Sequence, residues 1–81
     1  MHPSVTKVLP QDDFTLVITF ENNEEGVLDM RPHLGFGVFR KIADLKQFKT
    51  ARVSFDTIEW DHGVDLDPDF VYEHCRKTEN A

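Results

Sequence analysis

Hydrophobic and polar positions alternate strictly in the first third of the chain. Phe14, Leu16, Ile18 and Phe20 interleave with Thr15, Val17, Thr19 and Glu21, a period of two that puts one face of a strand into a core. Before it, the β-branched stretch from Ser4 to Leu9 reads as a first strand, stopped by Pro10 and followed by a turn at Gln11-Asp12-Asp13. After it, Asn22-Asn23 tolerates the positive φ of a tight hairpin, and Gly26-Val27-Leu28-Asp29-Met30 returns antiparallel. Arg31-Pro32 closes that third strand, because proline has no N–H for the ladder and holds the preceding residue extended.

The period then changes. Val38, Phe39, Ile42 and Leu45 share one helical face and Arg40, Lys41 and Asp44 take the other, predicting an amphipathic helix over 37–46 entered through the flexible His33-Leu34-Gly35-Phe36-Gly37. Ala51, Val53 and Phe55, then Ile58 and Trp60, alternate with polar residues as two more strands. Their inward parity changes between Phe55 and Ile58, so a turn or bulge belongs around Asp56-Thr57. Asp67 is placed to cap a last helix over 68–76 that opens at Pro68, with Leu66 and Val71 as its hydrophobic staple. Asp69 and Glu73 lie early in that helix and Arg76 and Lys77 late, which suits its dipole. The expectation is one α+β domain over 1–81, in two layers. It has a mostly antiparallel sheet of about five strands, two short helices, and a tail that frays after about residue 77. The predicted core is Phe14, Leu16, Ile18, Phe20, Val38, Phe39, Ile42, Val53, Ile58 and Trp60.

Composition narrows the class. With 81 residues, 40% of them hydrophobic, and a single cysteine, the chain is just large enough to fold without disulfides, and Cys75 has no thiol partner for a bridge or a multi-thiolate zinc site. Met1-His2-Pro3-Ser4 lacks the basic start of a targeting signal and no long apolar run follows, so a cytoplasmic place and no membrane contact are expected. The net charge of -6 argues against general affinity for polyanions. Its distribution is uneven: residues 1–30 carry one Lys against six acids, residues 31–52 six basic residues against Asp44 alone, and residues 53–81 two against eight. Arg31, Arg40, Lys41, Lys46, Lys49 and Arg52 thus form a basic island in an acidic chain. Such an island suits three ends: phosphate contacts, an acidic surface on a partner or a second copy, or balance by neighbouring acids.

Other chemistry is thin. Asp65-x-Asp67-x-Asp69 begins like a calcium loop, but the sixth position is Phe70 and the twelfth Arg76, so capping and dipole roles fit better. His2, His33, His62 and His74 are scattered without zinc-site spacing and read as exposed loop histidines, and Cys75 beside His74 reads as a structural thiol. Gly35-x-Gly37 lacks the rest of a phosphate-binding loop and reads as a hinge. By parity Asp29 faces away from the core.

Trp60-Asp61-His62-Gly63-Val64-Asp65-Leu66-Asp67-Pro68-Asp69-Phe70-Val71-Tyr72 resembles the signature of a bacterial family known as domain of unknown function 2442. The signature is a tryptophan, a turn ending in glycine, an Asp-hydrophobic-x-Pro segment and a closing helix with tyrosine. Upstream, the Val-Leu-Pro strand, Phe14 to Phe20, Val27-Leu28-Asp29-Met30-Arg31-Pro32, Val38-Phe39 and Phe48 agree, so the likeness spans nearly the whole chain. Trp60, Gly63, Asp65, Asp67, Pro68 and Tyr72 are its structural motif residues here. His62 departs from the asparagine common in that turn. The resemblance implies a small α+β domain without assigned chemistry. Some relatives are fused to a helix-turn-helix domain, and others are encoded beside a second small protein in a toxin–antitoxin-like pairing.

No acid, base and nucleophile come together in this pattern. The expected function is therefore a non-enzymatic interaction module that needs no cofactor or metal and binds another small protein, itself as a homodimer, or both. The alternative is a nucleic-acid-associated regulator using the basic segment 31–52.

Overall fold

A computed structural model describes residues 2–77, and the expected frayed tail lies outside the described residues. Among the described residues six strands and two α-helices form an α+β fold. β1 (Val5–Pro10), β2 (Thr15–Phe20) and β3 (Glu25–Asp29) make an antiparallel meander, and β6 (Arg76–Lys77) adds to β3, giving the order β1-β2-β3-β6. β4 (Arg52–Ser54) and β5 (Thr57–Glu59) form a separate two-stranded sheet. That hairpin packs along β1: Val5 N–H donates to the Asp56 carbonyl at 3.1 Å, and at the other end Lys49 pairs with Asp12. The one sheet expected from the sequence is thus divided into four strands and two.

β2 takes its expected pleat. Leu16, Ile18 and Phe20 are fully buried, while Phe14 stands just before the strand at φ 65 and is only partly buried. The β2–β3 turn is made by Asn23 at φ 68, as an Asn-Asn pair allows.

The predicted helix over 37–46 is two elements. Gly37–Ile42 is a 3-10 helix, and after a break at Ala43 the side chain of Asp44 accepts from Gln47 N–H and starts α1 (Leu45–Phe48). A 3-10 helix turns about 120° per residue, so Phe39 and Ile42 align on one face and Val38 falls in line with Lys41. Accordingly Ile42 is buried and Phe39 half-buried, while Val38, expected in the core, is 54% exposed.

α2 (Pro68–His74) is capped as expected, Asp67 accepting from Asp69 N–H at 2.8 Å. It stops two residues before the predicted end: Cys75 is extended, and Arg76 and Lys77 pair with Val27 and Gly26 as β6 rather than serving the helix dipole. Gly26 permits this, because a Cβ there would stand 2.6 Å from Cys75 Sγ and 2.7 Å from the Arg76 carbonyl.

One core joins these parts. Trp60, Phe20 and Phe48 are its largest buried side chains, and Val5, Leu28, Met30, Val64, Leu66, Val71 and Cys75 join the expected residues. Val53, expected inside, is 37% exposed, since it lies in a two-stranded hairpin with little covering it.

Candidate interaction surface

The motif residues from Trp60 to Tyr72 build structure. Trp60 donates its indole N–H to the Phe48 carbonyl at 2.9 Å, joining α1 to the end of β5. His62 and Gly63 turn the chain at φ 70 and 77, so that Trp60 N–H reaches the Val64 carbonyl at 2.7 Å and Leu66 N–H the Ile58 carbonyl at 3.0 Å. Asp65 makes an isolated bridge with Glu59, and Pro68 opens α2 behind the Asp67 cap. Tyr72 donates to Glu24 Oε1, and the Lys77 ammonium sits 3.7 Å from its ring centroid.

The basic island divides in two. Arg31 grips Asp29 through Nε and Nη2 at 2.9 and 2.8 Å, and this pairing holds the Asp29 carboxyl below its ordinary range. Lys49 pairs with Asp12, and Arg52 reaches Asp61 at 2.8 Å and Glu59 at 3.8 Å. By contrast Arg40, Lys41 and Lys46 have no carboxylate in contact among the described residues, and Arg40 bonds only to the Gly37 carbonyl at 3.5 Å.

The histidines are not all exposed. His2 is half-buried and stacks on Tyr72 at 4.7 Å, with Asp69 and Glu73 at 3.6 and 3.9 Å from Nε2. His33 is also half-buried, 5.2 Å from the Phe70 ring and 6.3 Å from His74, which itself stacks on Phe70 at 4.1 Å. Among the described residues no group of three or more His, Cys, Asp or Glu is placed to hold a metal, and no cavity opens. Cys75 is a buried free thiol whose pKa burial pushes up.

Among the described residues five large apolar side chains are exposed: Leu9, Phe36, Val38, Val53 and Phe55. Phe55 is the extreme case, 98% exposed at φ 55 in the two-residue loop between Ser54 and Thr57. That position ordinarily belongs to Gly, Asn or Asp. The loop is fastened to the start of β1: the Asp56 carbonyl accepts from Val5 N–H, and Asp56 Oδ1 accepts from Ser4 Oγ at 3.1 Å. Sequence alternation placed Phe55 in phase with Val53. The clue to its true place was the parity change before Ile58, which demanded a turn there.

These features define a small α+β domain whose distinctive surface consists of exposed apolar side chains and unpaired cations. The chain belongs to the family described as Protein of unknown function (DUF2442), whose sequence profile matches residues 5–77. No curated protein and no solved structure matches it. No helix among the described residues is long and apolar enough to cross a membrane.

Proposed function

We propose that this chain is a protein-interaction module anchored by Phe55. One observation carries the reading: a fully exposed aromatic ring held in a left-handed backbone conformation on a loop tied down at Asp56. Left-handed φ at a bulky residue costs on the order of 1–3 kcal/mol and persists where surrounding contacts enforce it, so such outliers cluster at functional positions. A rigid aromatic anchor also loses little freedom on binding, which is how a few residues come to dominate an interface. Val53, exposed two residues earlier on β4, adds apolar surface on the same hairpin. The partner this suits is a second small protein offering an apolar recess, consistent with the paired-gene arrangement that the family resemblance implies.

The test places a photo-crosslinking amino acid at position 55, and as a comparator at the exposed Asn22, in the native host. A defined adduct from position 55 alone, with the same protein lost from pull-downs when Phe55→Gly is used, supports the reading. Equal labelling from both positions sinks it.

A further inference from the structure

A different surface points to self-association. The His33–Phe70 and His33–His74 ring contacts place the start of segment 31–46 directly beside α2. Phe36 follows at once, its N–H bonded to the His33 carbonyl at 3.2 Å and its ring 72% exposed, with Val38 exposed next to it. Beyond them come Arg40, Lys41 and Lys46, which have no carboxylate partner among the described residues.

On α2, successive residues point about 100° apart. Val71 and Cys75 are buried, so Asp69 and Glu73 form the outward ridge, while Phe70 and His74 flank it on the His33 side. Asp69 and Glu73 are 71% and 61% exposed, and among the described residues His2 alone lies beside them as a cation. From the α2 contact onward the exposed groups thus follow one another as an acidic ridge and an aromatic layer on α2, then, along the chain from His33, two exposed apolar side chains and an unpaired cationic segment.

That order is self-complementary. A two-fold axis brings patch i onto patch j and j onto i, so one rotation pairs both charged regions twice and covers the apolar middle. We infer that two copies of this chain form a two-fold dimer. Arg40, Lys41 and Lys46 of one copy face Asp69 and Glu73 of the other, with Phe36 and Val38 closed over at the centre. This goes beyond the Phe55 reading and uses none of its residues, so either stands if the other fails.

Sedimentation velocity across a concentration series, in about 50 mM and about 500 mM NaCl, tests it, since charge pairs at an interface are screened by salt. The expected result is a concentration-dependent dimer at low salt that dissociates at high salt. Arg40→Glu with Lys41→Glu, or Asp69→Lys with Glu73→Lys, should each weaken it about tenfold or more, and all four together should restore it. Phe36→Ser should weaken it at both salt concentrations. Melting curves follow each variant, because Asp69 also lies in the first turn of α2, and the four-fold restoration separates lost pairing from lost folding. A monomer at every concentration in low salt overturns the inference, as does a dimer unmoved by the reversals or a four-fold variant that stays monomeric. Binding of a labelled DNA duplex by a monomer, abolished by the Arg40 and Lys41 reversals, also overturns it, in favour of phosphate contacts.

Discussion

Tyr72 Oη donates a hydrogen bond of 2.8 Å to Glu24 Oε1, joining α2 to the β2–β3 turn across 48 residues of sequence. Phe20 meets the same ring edge-on at 5.2 Å, and Asn22 donates its side-chain amide to the same carboxylate. The Asn22 bond, then the Tyr72 bond, lower the pKa of Glu24, and the Tyr72 hydroxyl correspondingly holds its proton more tightly. The closing helix is thereby tied to the first hairpin.

This arrangement predicts an acid-sensitive fold. Glu24, Asp13 and Asp29 all have lowered pKa values, Asp13 chiefly through the Thr15 hydroxyl at 2.6 Å and Asp29 through Arg31. A carboxylate with a lowered folded pKa contributes its full stabilisation above its unfolded value. It loses that contribution as pH falls through the folded one. The unfolded values lie near 3.8 for Asp and 4.5 for Glu. The melting temperature should therefore be flat above about pH 5 and fall progressively below it. Tyr72→Phe should lower it at about pH 7 by more than at a pH acid enough to protonate Glu24 in the folded state, where the bond is no longer charge-assisted. Melts at the two pH values check this, and an equal difference at both would contradict the role given to the pair.

Trp60 predicts a larger effect. Replacing it with Phe removes the donor to the buried Phe48 carbonyl and leaves a space where the six-membered part of the indole stood. The unsatisfied acceptor costs about 1–3 kcal/mol and the lost packing adds to it, so a total of about 2–4 kcal/mol is expected. For a domain of this size that lowers the melting temperature by more than about 10 °C. Urea unfolding followed by circular dichroism measures it directly. A loss under about 1 kcal/mol would mean that the indole N–H finds no partner in solution.

Gly26 sets the position of β6. With a Cβ at that residue, Cys75 Sγ and the Arg76 carbonyl must both retreat, and the second is backbone paired with β3. Gly26→Ala should destabilise by about 1–3 kcal/mol, as overpacking does. It should also release β6 and expose Cys75, so that a thiol reagent modifies the folded variant faster than the parent. Unchanged thiol reactivity would show that β6 accommodates the methyl group without leaving β3.

The residues themselves show what sequence could and could not convey. Strict alternation from Phe14 to Phe20 identified β2, and the Asp67-Pro68 pair marked the start of α2, because strand pleat and helix capping are local rules. Val38 misled because the same hydrophobic spacing serves an α-helix or a 3-10 helix, and only the second turns it outward. Arg76 and Lys77 gave no strand pattern at all, since their pairing depends on the missing side chain of Gly26, fifty residues away. Of the candidate surface, the charges were legible as a basic island. Its division into paired Arg31, Lys49 and Arg52 and unpaired Arg40, Lys41 and Lys46 required knowing which acids the fold brings near.

Phe55 supplies the sharpest prediction, because stability and binding should move in opposite directions. At φ 55 a phenylalanine is strained and glycine is not. Against that gain, glycine enlarges the freedom of the unfolded chain by about 0.4–1 kcal/mol. The relief of left-handed strain, about 1–2 kcal/mol for a residue with a Cβ, is the larger of the two. The ring itself is 98% exposed, so removing it sacrifices almost no buried contact. Phe55→Gly should therefore be as stable as the parent or more stable, by up to about 1 kcal/mol, while the crosslinked adduct disappears. Phe55→Ala separates the two effects: it keeps the strain and removes the ring, so it should lose the partner without gaining stability. Stability is read from urea midpoints, and a Phe55→Gly variant less stable than Phe55→Ala would show that the left-handed conformation is not what the loop adopts in solution.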